Sequence, residues 1–215
     1  MGLPVRTLIC ASNENRVLTD FLETGTYDRR RPFYRTSSPS MDILISSNLE
    51  RLLYALAEED DHKLAGWMKE LSETGSYTVD PAVAARVADL FYGGSCDDAG
   101  TFETIRRTWA DGVLCDTHTA VGVAVYQQYV KDTGDEKTPT VIASTASPFK
   151  FTKSVLSALG QPVPEDEFDA VAALESCTGQ AAPAPLKVLR DKPVRFTRVI
   201  PKDQAPAFVA GLLEP

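Results

Sequence analysis

Apolar and polar positions along the chain alternate between two periods. Short runs of β type, Val5–Ala11 and Val141–Ala143, sit between longer stretches with apolar residues three and four apart. Val17, Leu18, Phe21 and Leu22 share one face of a helix predicted to run to about Glu23 and to stop at Gly25. Ile43, Leu44, Leu49, Leu52, Leu53 and Leu56 predict a second, strongly apolar helix after Ser37-Ser38-Pro39-Ser40. Leu64, Trp67, Met68 and Leu71 restart the pattern after Asp60-Asp61, and Asp80-Pro81 caps a helix reaching about Leu90. Further helices are predicted over Thr101–Trp109, Ala120–Tyr129, Phe149–Leu159, Asp166–Ser176 and Ala205–Leu213. Strands are predicted over Thr140–Thr145 and Val194–Ile200, with short pieces near Phe33–Arg35, Phe91–Cys96 and Val113–Cys115. Strand alternating with helix predicts an α/β fold, rich in helix, around a largely parallel sheet of about four or five strands.

Composition narrows the function classes. The 215 residues carry a formal charge of −8, with 43% hydrophobic and 24% charged residues. That balance suits a soluble globular domain and argues against nucleic acid or an anionic membrane as partner. The apolar runs are too short to span a bilayer. Cys10, Cys96, Cys115 and Cys177 form no C-x-x-C pair, and His62 and His118 lie far from them, which argues against a zinc site. Scattered cysteines of this kind predict reduced thiols and a cytoplasmic setting. Ala181–Leu186 (A-A-P-A-P-L) reads as a linker, dividing the chain into residues 1–180 and a 181–215 tail of linker, strand and terminal helix packed on the first part.

Three strand ends carry the candidate chemistry: Ser12-Asn13-Glu14-Asn15, Asp116-Thr117-His118-Thr119 and Ser144-Thr145-Ala146-Ser147. In a parallel sheet all three fall on the carboxyl edge, where open α/β sheets bind ligands, and each precedes a helix whose free N–H groups favour an anion. Taken singly, each segment also has the composition of an ordinary helix cap. Arg29–Arg31 reads as a solvated loop, Gly93-Gly94-Ser95 as a turn, and Lys150 and Lys153 as exposed. No G-x-S-x-G, H-E-x-x-H, P-loop or dinucleotide fingerprint is present.

Four ordered segments are more specific: L-I-C-A-S-N-E-N-R-V-L-T-D-F-L-E-T-G, T-S-S-P-S-M-D-I-L-I-S-S-N-L-E-R-L-L, D-T-H-T-A-V-G and V-I-A-S-T-A-S-P-F-K-F. Together they resemble the C-terminal half of the threonine synthases, most securely from Leu3 to Leu159 and more loosely after about Gln161. The S-P-S-M-D-I and D-T-H-T-A segments argue against other lyases of the same fold type, such as a dehydratase. The resemblance implies a fold-type-II pyridoxal-phosphate enzyme, with this chain forming part of its large, mainly parallel-sheet domain. It implies the conversion of O-phospho-L-homoserine and water to L-threonine and phosphate. It also implies that the cofactor-binding lysine, an asparagine at the ring hydroxyl and the phosphate-binding loop lie upstream of Gly2-Leu3-Pro4-Val5, in an N-terminal half.

The chain alone is therefore expected to be inactive and prone to self-association through its cut sheet. A non-catalytic module that binds a partner or an anion is the alternative. Residue by residue, the resemblance gives the ring-nitrogen contact to Thr145, with Ser144 as runner-up, and puts Asn13 and His118 at the pocket wall. The family's usual form of D-T-H-T-A has proline where Thr117 stands.

Overall fold

The computed structural model describes residues 4–212. Contacts divide it into two compact units at Ala181/Ala182. The first unit opens with β1 (Leu8–Ser12), α1 (Val17–Thr24) and β2 (Thr26–Asp28), followed by α2 (Leu49–Leu56), α3 (Asp61–Thr74) and β3 (Ser76–Thr78). It continues with α4 (Pro81–Leu90), β4 (Phe91–Ser95), α5 (Asp98–Ala110), α6 (Thr117–Thr133), α7 (Thr152–Ala158) and α8 (Glu167–Thr178). The second unit holds α9 (Ala184–Lys187) and α10 (Ala205–Gly211).

β1 and β4 pair in parallel, from Leu8 against Phe91 to Ser12 against Ser95. Two glycines in β4 make the layers thin. A Cβ on Gly93 would meet Leu22 of α1 at 3.3 Å, and one on Gly94 would lie 2.6 Å from Val125 Cγ1 of α6. The Gly-Gly pair is therefore the middle of a strand pressed between two helices, and not a turn. Val121 and Val125 of α6 are fully buried and pack with Ile9 and Ala11 of β1.

Between β1 and β4 the chain builds a second core. α1 and α3 each end on a left-handed glycine, Gly25 and Gly75, whose N–H returns to the helix. Each glycine leads into a three-residue strand, and β2 pairs antiparallel with β3, Tyr27 opposite Tyr77. The two rings stack at 5.4 Å, and Phe21 and Trp67 pack against Tyr77 at 6.2 and 6.4 Å. Burying rings of this size contributes about 1.5–3 kcal/mol each. Leu53, Val83 and Val87 close the same core. The Tyr27 hydroxyl donates to Leu44 O at 3.0 Å and accepts from Ser46 N at 2.8 Å, pinning the loop before α2. That loop holds Ile43 and Leu44, so the helix begins at Leu49, later than the apolar pattern suggests.

Several predicted strands are absent among the described residues. Phe33–Arg35, Val113–Cys115, Thr140–Thr145 and Val194–Ile200 have no ladder partner. Val141 is 94% exposed and Phe196 is 84% exposed. Apolar alternation signals a half-buried surface, but a strand needs a neighbour to exchange hydrogen bonds with. The predicted sheet of four or five strands is instead two two-stranded sheets. The helix predicted from Phe149 splits into a 3₁₀ turn, Pro148–Lys150, and α7. The last helix is α10, and the predicted terminus Leu213 lies outside the described residues. In the second unit Arg198 lies over the Phe208 ring at 5.2 Å.

Candidate active site: a groove at the open side of the parallel sheet

α6 begins on a strong cap. Asp116, fully buried, accepts from the N–H groups of His118 at 2.9 Å and Thr119 at 3.5 Å. It also takes His118 Nδ1 at 3.0 Å and, by a short bond, the Thr119 hydroxyl. The backbone N–H of Ser40 donates to His118 Nε2 at 3.1 Å. An accepting Nε2 leaves the ring hydrogen on Nδ1, so Asp116 and Ser40 together fix both the tautomer and the orientation of His118. Phe151 packs on that ring at 4.5 Å. Thr117 is the buried first residue of the helix.

The Ser40 loop is held by a second buried knot. Asn13, at the end of β1, places its amide nitrogen 2.8 Å from Thr36 Oγ1 and 2.7 Å from Asp42 Oδ1. Its oxygen accepts from Asn15 N at 2.9 Å. Asp42 also accepts from the Thr36 hydroxyl at 2.7 Å, and Asp98 receives the N–H and hydroxyl of Ser37 at 2.9 and 2.7 Å. Asn13 is 1% exposed and does not line the neighbouring groove. It sets the wall by holding the loop whose Ser40 touches His118.

That groove, of about 740 Å³, is within the size range of small-molecule sites. His118, Gly122, Tyr126 and Tyr129 form its helical side, a stripe along α6 at helical spacing. β1 and the residues before it form a second side, and residues 138–145 the third. At one end Arg6 and Tyr129 both reach Asp135 Oδ2 at 3.3 Å, and the Thr138 hydroxyl reaches it at 2.7 Å. At the other end Thr119 meets Ser144 at 3.1 Å. Residues 138–145 thus run alongside β1 in the same direction, separated from it by the groove.

The two hydroxyls at the end of this segment part. Thr145 lines the groove and its hydroxyl has no hydrogen-bond partner among the described residues, while Ser144 turns to Thr119. No lysine is among the described residues lining the groove. Lys153 instead reaches Glu165 O at 2.6 Å, and Lys150 lies over the Phe151 ring at 5.5 Å. Burial pushes the Cys10, Cys96 and Cys115 thiols up, which makes none of them a ready thiolate nucleophile. No cluster of metal-ligating side chains occurs among the described residues, and no helix there is long and apolar enough to cross a membrane. Thr145, Ser144 and His118 are brought together at one end of the groove. The sequence pattern assigns no role to Asp116 or Ser40, although an Asp directly before a helix is a readable cap signal.

The family model "Threonine synthase, C-terminal" matches residues 119–208. The threonine synthase of Saccharomyces cerevisiae is 38% identical over 173 residues, which are 74% of this chain and 34% of that protein. That of Methylobacillus glycogenes is 40% identical over 165 residues, 74% of this chain and 34% of its own length. Human threonine synthase-like 1 is 38% identical over 162 residues, 74% of this chain but 21% of the relative. Among solved structures, a pyridoxal-phosphate-bound threonine synthase from Brucella melitensis superposes with a TM-score of 0.76 at 34% identity, covering 92% of this chain and 38% of its own. The yeast enzyme gives 0.76 at 32% identity, covering 90% and 39%. The chain thus spans about a third of the length of the threonine synthases it matches. In sequence and in fold it matches the C-terminal portion of the threonine synthases, fold-type-II pyridoxal-phosphate enzymes of α/β architecture.

Proposed function

We propose that this chain supplies one wall of the active site of a threonine synthase, a carbon–oxygen lyase that converts O-phospho-L-homoserine and water to L-threonine and phosphate. The observation that carries the reading is the free Thr145 hydroxyl, facing the groove beside β1 in a chain of which 92% superposes on a solved threonine synthase. Pyridoxal phosphate fits the polar end of this groove: a hydroxyl suits its ring nitrogen, and the fixed His118 ring offers a flat wall. The bound cofactor would supply an electron sink for charge developing on the substrate. Thr145 would hydrogen-bond the ring nitrogen without fully protonating it, since a hydroxyl is a weak acid. Asn13 would act at one remove, through the Ser40 loop.

The unpaired edge of β1 supports a further partner, the N-terminal portion of such an enzyme. β1 has one edge paired to β4, and residues 138–145 run parallel to its other edge without touching it by hydrogen bonds. In a doubly wound sheet of order 3-2-1-4, that is the position of the first strand. A strand seated there would complete the ladder, and the same bare edge would allow self-association in its absence. A cytoplasmic setting, where thiols stay reduced, goes with this reading.

The chain alone is expected to be inactive, because its groove offers no lysine to hold the cofactor. That same observation favours, for the chain by itself, a binding module over an enzyme. The test is direct. Purified 215-residue protein is mixed with pyridoxal phosphate and O-phosphohomoserine, and phosphate release is followed together with the long-wavelength absorbance of a lysine-bound cofactor. Neither is expected above background, and turnover by the chain alone would refute the assignment of the lysine to another segment.

A further inference from the structure

The hydroxyl network at the start of α6 has a direction. As a carboxylate, Asp116 only accepts, and its oxygens already serve His118 N, His118 Nδ1, Thr119 N and the Thr119 hydroxyl. The Thr119 hydroxyl faces two acceptors, Asp116 Oδ2 by a short bond and Ser144 Oγ at 3.1 Å. The shorter, charge-assisted bond to Asp116 is the stronger of the two and fixes the Thr119 hydroxyl. Thr119 thereby links the buried carboxylate to Ser144. Among the described residues, this is the hydrogen bond that joins residues 140–145 to α6, since no sheet ladder holds the segment.

Resting on the cofactor reading, we propose that Asp116 is a positioning residue for the ring-nitrogen contact. Through Thr119 it ties down Ser144, and so presents the next residue, Thr145, to the groove as the hydroxyl free to donate to a pyridine ring. Asp116 need not touch the ring itself. Its buried position makes it the fixed end of the strut, and the Thr119 hydroxyl is the link that substitution can cut without removing the helix cap.

The experiment uses the chain with Thr119→Val, Thr119→Ser and Thr145→Val, followed by NMR. Backbone order parameters are read without ligand, and pyridoxine 5′-phosphate, which cannot form a covalent link through an aldehyde, is titrated to millimolar concentration. Thr119→Val is expected to lower the order parameters of residues 143–146 to below about 0.6, while β1 and β4 stay near about 0.85. Thr119→Ser restores the rigid values, which a purely steric role for threonine would not do. The wild-type Thr145 amide shifts on titration, and that shift is lost in Thr119→Val and in Thr145→Val. Unchanged order parameters in Thr119→Val, or failure of serine to restore them, overturns the strut while leaving the cofactor reading intact. A wild-type chain whose Thr145 signal ignores the probe overturns the cofactor reading, and the positioning role of Asp116 with it.

Discussion

Asp116→Ala should lower the stability of the chain by about 3 kcal/mol or more, from roughly 1 kcal/mol for a lost N-cap and a further 1–3 kcal/mol for each buried donor left unpaired. The residue is fully buried, and alanine would strand the Thr119 hydroxyl and His118 Nδ1 along with two backbone N–H groups of a 17-residue helix. A loss of that size is a large share of the total stability of an ordinary domain, about 5–15 kcal/mol. Urea unfolding followed by circular dichroism measures it, as a lower midpoint with an unchanged slope. A loss under about 1 kcal/mol would mean that Asp116 is an ordinary surface-type cap, and the polar end of the groove would then lack its fixed point.

Gly94→Ala is the second large effect, expected to cost about 1–3 kcal/mol as an overpacked core position. The added methyl would lie 2.6 Å from Val125 Cγ1 and 2.9 Å from Gln128 Oε1, so α6 must move away from the sheet. Because α6 also carries His118 and Thr119, the same substitution should disturb the groove. Gly66→Ala is its control. Nothing lies within 4 Å of a Cβ at Gly66 in α3, and alanine there should stabilise the helix by about 0.5–1 kcal/mol. Equal effects at the two positions, in a pair of thermal melts, would contradict the thin-layer packing around β4.

The helices were legible because their signals are local. Gly25, Asp60 and Asp80 mark ends that the structure keeps, and the stripe of Val17, Leu18, Phe21 and Leu22 faces the core as its spacing implies. Strands were read less well because pairing is settled by residues far apart in sequence. β2 and β3 are three residues each, too short for alternation to register, although E-T-G-T-Y and E-T-G-S-Y introduce them in the same way. Thr140–Thr145 has the composition of a strand and the direction of one, but no described residue pairs with it in a ladder.

At the site, Thr145 and His118 could be named from the motifs that carry the family resemblance, and they do share one end of the groove. Thr145 faces the groove, while the Ser144 hydroxyl meets Thr119 instead. Asn13 was legible as a polar residue at a strand end. Its use inside the Thr36–Asp42 knot was not, because Thr36 and Asp42 come from a loop whose path no periodic pattern reveals. Asp116 was visible only as part of D-T-H-T-A, where its own side chain had no assigned task.

A transplant tests most directly whether this chain forms the C-terminal wall of a threonine synthase. The matching segment of the yeast threonine synthase, a relative 38% identical over 173 residues, is replaced by this chain, and threonine formation from O-phosphohomoserine is measured in the purified chimera. The chimera is expected to make threonine, and Thr145→Val within it to reduce the rate at least about tenfold, as for an active-site hydrogen bond worth more than about 1.4 kcal/mol. A folded, pyridoxal-phosphate-loaded chimera that makes no threonine would contradict the account.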